Sequence, residues 1–101
     1  MEQRLSPDIF KIHLPKDEVG YIYLVKTLGY IKIGITRDPK KRIDSIRNSL
    51  PVELSVIKVL PVKDYRVTER ELHNKYIHKH VKNEWFTLDD NDVNDILSNF
   101  V

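Results

Sequence analysis

The sequence predicts a small α+β domain, a mainly antiparallel three-stranded sheet flanked by helices in the order β-β-α-β-α-(β)-α. Three observations predict it. Residues 21–26 and 30–36 are apolar runs alternating with period two on either side of Thr27-Leu28-Gly29, the pattern of a β-hairpin. Asp38-Pro39 then opens a run whose apolar residues recur at helical spacing. A β-branched stretch, residues 53–63, separates that run from a second helical one.

The chain has 101 residues, enough for one domain with a modest core. It divides into an N-terminal arm, 1–19, and a domain, 20–101. The arm is expected to pack through Ile9, Phe10 and Ile12. Hydrophobic residues make up 41% and charged residues 32%, the balance of an ordinary water-soluble domain. No apolar run reaches the roughly 18 residues of a membrane span, and the N-terminus has no signal-peptide core, so a cytoplasmic location is expected. The chain has no cysteine, which excludes disulfides, thiolate zinc sites and thiol nucleophiles. A net charge of +2 does not by itself point to nucleic acid. Its distribution says more, because Arg37, Lys40, Lys41, Arg42 and Arg47 fall within eleven residues.

In the hairpin, Tyr21, Tyr23 and Val25 point one way and Ile22 and Leu24 the other. In the second strand Ile31, Ile33 and Ile35 share one face, and Tyr30, Lys32, Gly34 and Thr36 share the opposite one. Glycines 20, 29 and 34 allow tight backbone. Asp38 supplies an N-cap and Pro39 a first helical position, and the helix runs to about Leu50, where Pro51 stops it. Pro39, Ile43, Ile46 and Leu50 form its inward stripe, with Arg42 at the stripe's edge, able to reach out beside the sheet. Pro61 fits an edge strand or a strand end better than a central position. The second helix is expected over 63–80, with Asp64 as its cap. At roughly 100° per residue, Tyr65, Glu69, Leu72, His73, Tyr76 and His80 share its inward side, while Glu71 faces water. A carboxylate in line with Leu72 and Tyr76 must be paired, protonated or holding a metal. Residues 84–88 form a short aromatic strand that closes the core. Asp89 caps a last helix over 92–100, with Val93, Ile96, Leu97 and Phe100 on its packing face.

Tyr21-Ile22-Tyr23 and Lys32-Ile33-Gly34 resemble the paired motifs of the GIY-YIG nuclease superfamily, with Arg42 ten residues past the start of the second. The run Glu69-Arg70-Glu71-Leu72-His73 is similar to that superfamily's metal-binding glutamate helix. A phage and bacterial branch is closer still. Its second motif reads K-I-G-x-T and its helix E-x-x-L-H-x-x-F/Y followed by E-W-F, here Lys32–Thr36, residues 69–76 and Glu84-Trp85-Phe86.

The resemblance implies a DNA endonuclease, hydrolysing a phosphodiester through one divalent ion, Mg²⁺ or Mn²⁺. Glu69 would be the metal ligand and Arg42 the cation on the scissile phosphate. Tyr23 would orient or deprotonate the nucleophile, and His73 would contact phosphate or carry a proton. Lys32 stands where much of the superfamily has a tyrosine. It would hold phosphate, or act as base if its pKa were lowered. The superfamily's C-terminal asparagine has no clear counterpart. Arg37, Lys40, Lys41 and Arg47 would contact the DNA backbone. With little room for a separate recognition domain, specificity is expected to be low, to arise from loops or a homodimer, or to come from a separate recognition protein. The competing reading is a catalytically weak or inactive nucleic-acid-binding module of the same fold, and a third is an interaction domain that binds no nucleic acid. A histidine zinc site is disfavoured, since of His73, His78 and His80 only His73 and His80 would share a face.

Overall fold

The computed structural model describes residues 19–99, so the expected packing of the arm and of Phe100 lies outside the described residues. Five strands and three helices follow the chain. They are β1 (Val19–Thr27), β2 (Tyr30–Thr36), α1 (Pro39–Ser49), β3 (Ser55–Lys63), α2 (Tyr65–Lys75), β4 (His80–Lys82), β5 (Trp85–Phe86) and α3 (Asp90–Ser98). A single 3₁₀ turn, Ile77–Lys79, joins α2 to β4. The mixed α+β class is as the sequence predicts. The sheet, however, has five strands where three were expected, in the order β3-β1-β2-β5-β4, and every pairing is antiparallel.

The hydrophobic hairpin occupies the middle of the sheet, because β1 is apolar on both faces. Ile22, Tyr23, Leu24 and Val25 are all fully buried. On one face Ile22, Leu24, Ile31, Ile33 and Phe86 meet Leu72 of α2, Tyr76 at its C-cap, and Val93 and Ile96 of α3. On the other, Tyr23 and Val25 meet Ile43 and Ile46 of α1, together with Leu54. The layering is thus one helix, the sheet, then two helices. Pro61 lies in β3, an edge strand among the described residues, the kind of strand that tolerates a proline.

Local chemistry fixes the element ends. Asp38 accepts the Lys41 amide at 3.2 Å, and Pro39 fills the first helical position of α1. Asp89 and Asp92 form a reciprocal capping box at the start of α3. Asp64 does not cap α2. Its backbone is left-handed at φ 51 and its side chain makes no capping bond, because the chain turns sharply out of β3 there. The second helix also stops at Lys75, not His80. The chain tightens into the 3₁₀ turn, with the Lys79 amide on the Tyr76 carbonyl at 2.8 Å, and then extends as β4. His80 therefore leaves the inward face of α2. It sits in β4 with its ring edge-on to Phe86.

Two glycines act through close approach and none takes a positive φ. A Cβ at Gly20 would lie 2.6 Å from the buried ring of Tyr65, and one at Gly34 would overlap the phenol of Tyr23. The hairpin turn takes its left-handed residue at Leu28, φ 58, where the Gly29 amide bonds the Thr27 carbonyl at 2.8 Å. Among the described residues no helix is long and apolar enough to cross a membrane.

Candidate active site

The sheet is notched beside β2. Strand β5 pairs with only Ile31 and Lys32, and the Ile33 amide adds one bond to the Glu84 carbonyl at 3.1 Å. From Gly34 to Thr36, β2 is paired on its β1 side alone among the described residues. Side chains from β1, β2, α1, α2 and the β4–β5 turn converge around this notch.

Tyr23 faces Gly34 across the β1–β2 ladder, and the missing side chain at Gly34 leaves room for the phenol to lie over it. The ring is fully buried. Arg42, exposed on the first turns of α1, points its Nε at the Tyr23 hydroxyl, 3.3 Å away. Burial holds the Tyr23 pKa above its ordinary value, against the opposing pull of Arg42. The phenol is therefore neutral near pH 7 and serves Arg42 as an acceptor.

Lys32 is buried, with its Nζ 3.2 Å from Glu84 Oε1 and 5.4 Å from the centre of the Trp85 ring. Register explains both contacts, since Lys32 is the cross-strand partner of Trp85. Glu69 comes from the inward side of α2, and its Oε2 is buried without a hydrogen-bond partner. Burial first, then the neighbouring Glu84 carboxyl, push the Glu69 pKa up to about 7, against the attraction of Lys32 and Arg66. An orphaned, half-desolvated carboxylate oxygen is a fitting ligand for a hard divalent cation. His73, one turn further on, lies 4.0 Å from Glu69 and donates its Nε2–H to the Ile33 carbonyl at 2.9 Å. With its ring against Phe86, His73 is a strut that ties α2 to β2. Among the described residues no three of His, Asp or Glu gather closely enough to hold a metal by themselves.

The sequence profile of the T5orf172 domain matches residues 20–101. The chain belongs to the T5orf172 domain family. That domain occurs in phage and bacterial nuclease-like proteins, so membership supports a nuclease or nucleic-acid-binding role at that level of detail. No curated protein and no solved structure gives a significant match.

Within this T5orf172 domain the structure brings Tyr23, Lys32, Arg42, Glu69 and His73 to one region. Of the other basic residues singled out in the sequence, Lys40 and Arg47 lie outside it. Both pair with Asp44 on the outer flank of α1, at 2.7 and 3.6 Å. Lys41 joins Arg42, Thr36, Asp38 and Ser45 around a shallow cavity of about 220 Å³. A larger open concavity, about 710 Å³, runs over Lys40, Lys41, Asp44 and Asn48, away from Glu69. Thr36 Oγ1 accepts the Asp38 amide at 3.0 Å and braces the turn into α1. Sequence reasoning missed Glu84. The available signal was Lys32, an inward-facing cation that needs a counter-ion.

Proposed function

We propose that this T5orf172 domain is a GIY-YIG-type endonuclease that hydrolyses a DNA phosphodiester with one divalent ion, Mg²⁺ or Mn²⁺, at Glu69. The observation that carries the reading is the buried, unpartnered Glu69 Oε2 in the same notch as Tyr23, Arg42 and Lys32. Such an ion supplies Lewis-acid polarisation of a phosphoryl oxygen and eases loss of a water proton. The chain's own residues do the rest. Arg42, exposed and fixed at its Nε, keeps guanidinium donors for a phosphate oxygen. Tyr23, neutral and buried, orients Arg42 and so acts as a positioning residue. Lys32 contributes positive charge at the floor of the notch. His73 sets the height of Glu69 above β2. Lys41, beside Arg42, extends the phosphate track, and Arg37, Lys40 and Arg47 add a screened positive field along α1.

A second reading, a nucleic-acid-binding module without the chemistry, has its own support. Lys32 is engaged by Glu84 and Tyr23 is held neutral, so neither is poised as a base. Incubation of supercoiled plasmid with the wild type and with Glu69→Ala, in Mn²⁺, Mg²⁺ or a chelator, separates the two. The endonuclease reading expects metal-dependent nicking by the wild type alone. Unchanged cleavage by the variant would sink the assignment of Glu69. Salt-sensitive DNA binding with no product at any metal concentration would establish the second reading.

A further inference from the structure

We propose that Glu84 is a second carboxylate ligand of the divalent ion at Glu69, an inference that rests on the endonuclease reading. Its backbone is pinned on both sides. Asn83, immediately before it, is left-handed at φ 53, and the Asn83 carbonyl accepts the His80 Nε2–H at 2.6 Å. The Glu84 carbonyl accepts the Ile33 amide at 3.1 Å. This tight turn aims the side chain into the notch, where Oε1 lies 3.2 Å from Lys32 Nζ.

The Glu69 carboxyl comes to the same place: His73 Nε2, 4.0 Å from Glu69 Oε2, bonds the Ile33 carbonyl while the Ile33 amide bonds the Glu84 carbonyl, so both acids flank Ile33, and the charge of Glu84 helps push the Glu69 pKa up. Two carboxylates so close repel unless a proton or a cation lies between them. Lys32 compensates Glu84 from one side and still leaves Glu69 Oε2 buried without a partner. A divalent ion facing both groups satisfies the orphan oxygen and removes the repulsion together. Magnesium-type ions commonly use one or two carboxylates, with water and phosphate oxygens completing the shell. Two protein donors match that pattern, and His73, although 4.0 Å from Glu69, spends its Nε2–H on the Ile33 carbonyl. The plain alternative is that Glu84 serves only as the counter-ion of Lys32.

Calorimetric titration of the full chain with Mn²⁺, without DNA, tests this. Glu84→Gln is expected to raise the Mn²⁺ Kd about tenfold or more, and to shrink the rise in melting temperature on adding Mn²⁺. Glu69→Gln is expected to abolish binding. A Glu84→Gln chain with wild-type Mn²⁺ affinity, beside a Glu69→Gln chain that binds none, overturns the inference and leaves the endonuclease reading intact. A wild type that binds no Mn²⁺ overturns both. Should Glu84→Gln fail to fold, Glu84→Asp decides the same question, because it keeps a charge for Lys32 while drawing the carboxylate back. Weaker Mn²⁺ binding by Glu84→Asp supports the inference, and unchanged affinity refutes it.

Discussion

Glu69 costs the fold stability once it ionises, because its carboxyl is largely buried. Its pKa is raised from 4.5 to about 7, so the fold favours the protonated form. The associated stability is fully present below about pH 4.5 and is lost as pH rises through 7. At pH 8 the penalty is on the order of 2–3 kcal/mol without metal. Denaturant melts of Glu69→Gln should therefore match the wild type near pH 4.5 and exceed it by about 2 kcal/mol at pH 8. A constant difference across that range would contradict the burial argument. Gly34 matters at the same scale, since an added methyl would overlap the Tyr23 phenol. Gly34→Ala should lose about 1–3 kcal/mol through overpacking. Displacing Tyr23 would also free Arg42, so plasmid nicking by this variant should fall by about tenfold or more. Wild-type cleavage by a folded Gly34→Ala chain would remove Tyr23 from the site. The inward phase of Glu69 was legible in the sequence because Leu72 and Tyr76 mark the buried side of α2. Glu84 was not, since its partner Lys32 is 52 positions away and only the β2–β5 register brings them together.

Elements with strong apolar periodicity were readable, and short polar ones were not. The hairpin, α1 and the edge position of β3 follow from alternation, a capped proline start and Pro61. Strand β4 has three exposed residues and no period to read. The end of α2 was hidden for a related reason, because no glycine or proline marks it. Tertiary bonds end the helix instead, with the Thr87 amide on the Lys79 carbonyl at 2.9 Å holding the chain extended. The hairpin turn carries a correctable fault. Leu28 is 76% exposed with a positive φ, so its side chain adds strain and buries little. Leu28→Gly should raise stability by about 0.5–1 kcal/mol, seen as a melting temperature roughly 2–6 °C higher. A lower melting temperature would mean that the leucine makes a contact that outweighs the strain.

At the scale of the molecule, the layers of the described residues leave an opening at the candidate site. Helix α1 covers one face of the sheet and α2 with α3 the other, while the short β5 leaves the far half of β2 open at the notch. Arg42 enters from one layer, Glu69 from the other, and Lys32 with Glu84 forms the floor between them. On the proposed endonuclease reading, one described site per chain predicts that nicking precedes double-strand cleavage, and that cutting both strands takes two chains or two encounters. The central claim is that this opening is a metal-dependent phosphodiester site built on Glu69. Anomalous diffraction from crystals soaked in Mn²⁺ tests it most directly. The account predicts a manganese peak bonded to the Glu69 carboxylate, within one water of Arg42 and Lys32. A chain that nicks plasmid in Mn²⁺ yet shows its manganese elsewhere, with Glu69 unliganded, would contradict it.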